Sequence, residues 1–170
     1  MKHTTTFASI VCVLILSVAT AHAGVQVISE RNEPGTATSK FKFKKIPSPS
    51  RTDAAANASF SIIGSRQDPN GAGVRVLHDG QAPGNNDEPS ANFFFTQGAK
   101  GGRILLDLGK PTAVKQINTY SWHSQSRGPQ VYKLYAAAGS EKGLNAKPQK
   151  NVTPDQAGWK LLASVDTRPK

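Results

Sequence analysis

The sequence predicts an all-β fold, an antiparallel β-sandwich or jelly roll, on three observations. Short apolar segments such as Ile104–Leu108 alternate in hydrophobicity with a period of two, as strands with one covered face do. Turns rich in glycine and proline, such as Gly109-Lys110-Pro111, separate these segments. Helical periodicity is almost absent, which favours two packed sheets over a helical or mixed fold.

Each expected element rests on a local pattern. A single helical turn is expected at Asp53–Ala58. The expected strands, in chain order, are Phe60–Ile63, Phe93–Phe95, Ile104–Leu108, Val114–Trp122, Val131–Ala136 and Trp159–Val165. Alternation puts Ile104, Leu106 and Leu108 on one face of their strand.

The first 23 residues have the pattern of a secretory signal. A basic start at Lys2 precedes the apolar run Phe7–Val18, and Ala21-His22-Ala23 fits the small-x-small cleavage rule. The run is too short to span a bilayer comfortably, and no later segment could span one. We therefore expect a secreted or periplasmic protein without a membrane span. Residues 24–45 are expected to form a leader with a short strand, and residues 46–170 the β-sandwich domain.

Cysteine content and charge restrict the chemistry further. The one cysteine, Cys12, lies inside the predicted signal, so disulfides, thiolate metal sites and cysteine nucleophiles are excluded from the mature chain. The formal net charge is +10, and loss of Lys2 would lower it by one. This favours anionic partners such as acidic polysaccharide or a cell envelope. No nucleic-acid-binding motif is present.

The sequence does not predict an enzyme. Only His78 and His123 remain after signal removal, the carboxylates are scattered, and neither Gly-x-Ser-x-Gly nor His-Glu-x-x-His occurs. Gly98 and Gly101-Gly102 do not form a phosphate loop, because no Gly-Lys-Ser/Thr follows. We therefore expect no catalytic residues.

Two loops are candidates for binding. His78–Pro89 holds several oxygen donors among glycines, which suits calcium but equally describes an ordinary turn rich in Asp and Asn. In the Trp122–Gln130 loop, an indole face could stack on a sugar, while His123, Arg127 and Gln130 could hydrogen-bond to its hydroxyl groups. The alternatives there are that Trp122 belongs to the core and that Arg127 pairs with an acid.

Five motifs in order resemble the coagulation factor V/VIII type C, or discoidin-like, domain. They are Asp79-Gly80, Gly102–Lys110, Val114–Ile117, Arg127–Tyr135 and Trp159–Leu162. The family is a galactose-binding-like jelly roll and includes the family 32 carbohydrate-binding modules. The resemblance covers about residues 46–165.

This resemblance implies a non-catalytic module that binds glycans or cell surfaces through loops at one end of the sandwich. It implies a structural calcium near Asp79, with Asn86 or Asp87 as a further ligand. It makes Trp122, His123 and Arg127 the nearest candidates for sugar contact.

The chain departs from the family pattern in two places. A longer loop running into Asn92–Phe95 replaces the family's Asp-Gly-x-x-x-Thr-x-Trp run. The family's closing strands do not follow Leu162 before the chain ends at Lys170, so a C-terminally truncated sandwich is expected.

The leading hypothesis is an exported module that recognises carbohydrate or cell-surface glycan, with a structural calcium. Two alternatives stay open. The chain could be an accessory region of a polysaccharide-active enzyme whose catalytic part is absent, or an adhesion module that binds anionic envelope polymers.

Overall fold

The computed structural model describes residues 24–32, 38, 40–122 and 128–169. Its strands are β1 (Ser59–Ile63), β2 (Arg103–Asp107), β3 (Val131–Ala136) and β4 (Lys160–Asp166). Short 3-10 helices in the described residues are Ala54–Asn57, Val74–Leu77, Pro89–Ala91 and Asp155–Ala157. The described part of the chain is therefore β-rich and mostly non-helical, as the sequence predicts.

Strands β1 and β2 form one antiparallel sheet. The register pairs Phe60 with Leu106 and Ile62 with Ile104, so these four side chains share one face. The 3-10 helix Val74–Leu77 lies against β1. Ile104 remains 40% exposed and Leu106 38%. The alternation expected for β2 is therefore present, but its apolar face is only partly covered.

Strands β3 and β4 form the second antiparallel sheet. Tyr132 pairs with Val165 and Leu134 with Ala163, and all four side chains are half-buried. The register shifts between Leu134 and Tyr135, because Tyr135 pairs with Leu161 and skips Leu162. This is a β-bulge, which inserts one unpaired residue and bends the strand locally.

The helical turn expected at Asp53–Ala58 is present. Asp53 Oδ1 accepts hydrogen bonds from the backbone N–H groups of Ala55 (3.0 Å) and Ala56 (3.2 Å). An aspartate in this position satisfies donors that the first helical turn leaves without a backbone partner. The capped turn delivers the chain directly into β1.

The strand expected at Val114–Trp122 is wrong. Its described residues form no strand, and Val114 and Ile117 stay 51% and 48% exposed. Polar side chains in the segment bond within it, as Gln116 Nε2 does to Asn118 Oδ1 at 2.8 Å. An alternating apolar pattern becomes a strand only when a neighbouring strand satisfies its backbone, and none of the described strands lies beside it.

The segment Phe93–Phe95, also expected as a buried strand, reaches only a single β-bridge, between Gln67 and Phe95. The bridge consists of two backbone hydrogen bonds, from Thr96 N to Arg66 O (3.0 Å) and from Asp68 N to Phe94 O (2.9 Å). The rings of Phe93 and Phe95 meet edge to face, with centroids 5.1 Å apart. One bridge and the packing of the two rings therefore hold this segment, without a longer ladder.

The described residues of the leader, 24–32, 38 and 40–45, contain no strand. Val25 and Val27 are about half exposed, because no neighbouring chain pairs with them. Glu30 anchors the leader instead: its carboxylate accepts from the N–H groups of Lys44 (2.8 Å) and Lys45 (2.7 Å). These hydrogen bonds lower the pKa of Glu30. The predicted signal, residues 1–23, lies outside the described residues.

None of the described helices has the length and apolar character needed to cross a bilayer.

Candidate functional site

The two ends of the Trp122–Gln130 loop are held by hydrogen bonds. Ser121 Oγ donates to the carbonyl of Gly128 at 2.6 Å, which closes the chain across residues 123–127. Gln130 N donates to Thr167 Oγ1 at 2.7 Å, and Thr167 N donates back to Gln130 O at 3.0 Å. Because Thr167 follows β4 directly, these hydrogen bonds fix the Gln130 end of the loop to the end of β4.

Trp122 lies half-buried at the start of this loop. Its carbonyl accepts a hydrogen bond from Asn92 Nδ2 at 3.3 Å. The same amide group donates to the carbonyl of Glu88 at 2.9 Å. Asn92 therefore joins the two loops that the sequence singled out separately.

Of the four residues predicted to contact ligand, Trp122 and Gln130 lie at the two ends of the loop. Both are half-buried. Gln130 is fixed through its backbone to Thr167. His123 and Arg127 lie outside the described residues, so their predicted roles stay predictions.

The segment leading into the loop is fixed by two tyrosines. Thr119 Oγ1 lies 3.1 Å from the hydroxyl of Tyr132 on β3, and the hydroxyl of Tyr120 donates to the carbonyl of Pro47. Burial raises the pKa of Tyr120, and the negative charge of Asp53 raises it further. A neutral phenol is therefore the form that the folded chain favours at this position.

An acidic cavity of about 380 Å³ lies beside the His78–Pro89 loop. Asp79 and Glu88 both line it, together with Val76, Gln81, Ala82, Gly84, Ser90 and Ala91. Asp79 Oδ1 accepts from Gln81 N at 2.8 Å, and Glu88 Oε2 accepts from Gly84 N at 2.6 Å. Each carboxylate thus folds its own part of the loop and still borders the cavity.

The residues predicted to bind calcium divide into two groups. Asp79 borders the cavity, whereas Asn86 and Asp87 are exposed and are not among its lining residues. In the described part of the chain, no three His, Cys, Asp or Glu side chains form a metal-binding cluster. The carboxylates of Asp79 and Glu88 and the neighbouring carbonyl groups supply oxygen atoms, the ligand type that calcium prefers.

Gly80 keeps this loop in position. It has φ of +70°, and a Cβ atom there would lie 2.3 Å from Cγ of Arg51. Arg51 Nε in turn donates to the carbonyl of Asp79 at 3.1 Å. The Asp-Gly pair in the sequence signals this close approach, because glycine alone combines a positive φ with an absent side chain.

Sequence reasoning missed Asn92 and Glu88. Asn92 had no local signal, because its amide joins groups four and 30 residues away. Glu88 was visible as one acid in a polar loop, but nothing in the sequence paired it with Asp79 across the cavity.

Neither a family model nor a curated protein nor a solved structure matches the chain.

Proposed function

We propose that this protein is an exported, non-catalytic module that binds carbohydrate or cell-surface glycan through the Trp122–Gln130 loop. The observation that carries the proposal is the hydrogen bond from Ser121 Oγ to Gly128 O, at 2.6 Å. A loop whose ends are fixed loses less conformational entropy when a ligand orders it. Fixed ends of this kind lower the cost of ligand binding in the proposed site.

The residue types in this loop suit a sugar. The ring of Trp122 offers an apolar face to the C–H groups of a pyranose. The guanidinium of Arg127 offers a planar set of donors, and His123 and Gln130 offer directional hydrogen bonds.

The two sheets are proposed to be parts of a discoidin-like β-sandwich. Ile104 and Leu106 on β2 are incompletely covered, and so is Leu161 on β4, which is 47% exposed. Apolar sheet faces of this kind are normally covered by a second layer.

A calcium ion in the acidic cavity is proposed to have a structural role. Asp79 and Glu88 would hold it, and Asn92 would transmit its effect, because its amide bonds to Glu88 O and Trp122 O. An ion that stiffens the loop at Glu88 would therefore also steady the start of the sugar-binding loop.

The proposal is tested with the mature chain on a glycan array, followed by calorimetry with the best glycan. Arg127→Ala and His123→Ala are each expected to weaken binding at least about tenfold, the effect of losing one good hydrogen bond to a charged or aromatic donor. Arg75→Ala removes the same charge as Arg127→Ala from an exposed side chain on the helix Val74–Leu77 and is expected to leave affinity unchanged.

Two results would overturn the proposal. One is the absence of saturable binding to any glycan on the array. The other is turnover of a polysaccharide by the purified chain, which would make it an enzyme.

A further inference from the structure

A second cavity, of about 190 Å³, lies at the ends of β1 and β2 that are nearest in sequence to Gly64 and Gly102. It is lined by Ile63, Gly64, Lys100, Gly101, Gly102, Arg103 and Lys150. Three of these side chains are cationic and none is acidic. The residues come from three separate stretches of chain, so only the fold brings them to one cavity.

Arg103 builds one wall of this basic pocket. Its Nη1 donates to the carbonyl groups of Pro148 (3.4 Å) and Gln149 (3.2 Å), and its Nη2 donates to that of Lys150 (3.2 Å). These contacts hold the 148–150 segment against the start of β2. They neutralise none of the guanidinium charge, because carbonyl groups are uncharged acceptors.

Gly64 lets Lys150 approach the end of β1. Gly64 has φ of +71°, and a Cβ atom on it would lie 3.3 Å from Cβ of Lys150. Gly101 has φ of +84°, with no other atom within 4 Å of the place where its Cβ would be. Lys150 therefore packs closely over the end of β1, while the side of the pocket at Gly101 stays open to solvent.

The positive charge of the pocket is not balanced within the described residues. Neither Lys100 nor Lys150 forms an ion pair with a described carboxylate. Three cationic side chains line one small cavity, and an anion placed in it would be attracted by all three. The pocket is therefore suited to a single acidic group.

We infer that the basic pocket binds an acidic group, carboxylate or sulfate, carried by a polysaccharide. The polysaccharide part of this inference rests on the proposed glycan-binding function, but the pocket shares no residue with the Trp122–Gln130 loop. Among its lining residues there is no aromatic side chain on which a nucleic-acid base could stack. A uronic acid or a sulfated sugar supplies the anion without requiring such a surface.

The test is calorimetric titration of the mature chain with polygalacturonate, dextran sulfate, neutral dextran and a DNA duplex. Lys100→Gln and Lys150→Gln are each expected to weaken binding to one of the two acidic polysaccharides about fivefold, which is the upper range for a partly exposed ion pair. Lys142→Gln removes the same charge from an exposed position in the same loop as Lys150 and is expected to change affinity less than twofold.

Two further measurements distinguish a loss of charge in the pocket from a loss of folding. Lys150→Arg keeps the charge and is expected to retain binding, and the urea midpoint of each glutamine variant is expected to match that of the unsubstituted chain. Whichever acidic polysaccharide depends on Lys100 and Lys150 identifies the group as carboxylate or sulfate. Neutral dextran is expected to show no dependence on either lysine.

Three outcomes would overturn the inference. The first is an equal loss of affinity in Lys142→Gln and Lys150→Gln, which would mean that net charge alone acts. The second is binding to the DNA duplex that is tighter than to either polysaccharide and needs the same lysines. The third is glycan binding that needs Arg127 but neither lysine, which leaves the proposed function intact. Polysaccharide binding that needs the two lysines but not Arg127 would instead support the basic pocket and contradict the proposed binding through the Trp122–Gln130 loop.

Discussion

The imidazole of His78 lies stacked on the ring of Phe60, with the centroids 4.4 Å apart and the planes within 3° of parallel. His78 ends the 3-10 helix Val74–Leu77 and begins the acidic loop, and Phe60 is on β1. The stack is therefore the point at which the loop is attached to the first sheet.

Removing this stack is expected to destabilise the fold. We expect His78→Ala to lower the free energy of unfolding by about 1 kcal/mol, the usual contribution of an aromatic pair. His78→Phe keeps a ring on Phe60 and is expected to lose less than half as much. Urea denaturation measures both. Equal losses in the two variants would show that the stack contributes nothing.

Gly102 is expected to tolerate no side chain. A Cβ atom there would lie 2.3 Å from the ring of Phe95, so Gly102→Ala is expected to cost about 1–3 kcal/mol of unfolding free energy, as overpacking does. Gly73→Ala is the matched control, because its added Cβ would come no nearer than 3.8 Å to another atom.

A second variant identifies the cause. If Gly102→Ala destabilises through the ring, Phe95→Leu in the same chain is expected to recover part of the loss. A double variant whose loss equals the sum of the single losses would assign the cost elsewhere.

The acidic cavity makes a prediction about metal removal. Calcium is expected to raise the thermal midpoint of the mature chain and chelator to reverse the increase, because an ion bound only to the folded state stabilises it. Asp79→Asn and Glu88→Gln are expected to abolish the calcium-dependent shift. Asn86→Ala and Asp87→Asn, at exposed positions beside the cavity, are expected to keep it. A calcium-dependent shift that disappears only in Asn86→Ala and Asp87→Asn would place the ion at these exposed residues and not in the acidic cavity.

Tyr120 is expected to make the fold sensitive to alkali. Its pKa is raised above 10.0 in the folded chain, first by burial and then by Asp53. The stabilisation is therefore fully present below pH 10.0 and is lost as pH rises through the folded pKa. In urea melts across this range, Tyr120→Phe is expected to reduce the alkaline loss. It is also expected to cost about 1 kcal/mol at neutral pH, because the hydrogen bond to Pro47 O disappears.

Glu30 is expected to have the opposite pH dependence. Its pKa is lowered below 4.5, first by the hydrogen bond from Lys44 N and then by that from Lys45 N. Its contribution is present above pH 4.5 and is lost as pH falls through the folded pKa. Amide hydrogen exchange at Lys44 and Lys45 is expected to quicken, beyond the intrinsic pH effect, on acidification in this window. Glu30→Ala, which removes both acceptor oxygens, is expected to show the fast exchange already at neutral pH, and unchanged protection in that variant would contradict the prediction.

Local pattern was enough to predict all four described strands to within about a residue. The apolar runs that became these strands lie between strong turn signals, and alternation within them matches the final faces around Leu134 and Ala163. The exposed face of β2 was not foreseen, because the covering layer depends on contacts far away in sequence.

The strand expected at Val114–Trp122 had the same kind of signal and did not form. Whether such a segment becomes a strand depends on whether a partner strand lies beside it. The run Val74–Leu77 is a second example, because valine ordinarily favours strands and the run forms a 3-10 helix. In both segments the tertiary surroundings outweighed the local preference for a strand.

For the site, sequence analysis identified both loops but not their connection. The Asp79-Gly80 pair signalled a tight turn through its own chemistry. The link through Asn92 and the lining of one cavity by both Lys100 and Lys150 are long-range consequences of folding, and no short pattern carries them.

The bulge at Leu162 determines where this protein can change in length. Because Leu162 has no partner across the sheet, one residue can be lost there while Leu161 stays opposite Tyr135 and Ala163 stays opposite Leu134. A deletion at any paired position of β4 would instead turn the side chains beyond it to the other face. Natural variants that differ by one residue in this strand are therefore expected to differ at the bulge.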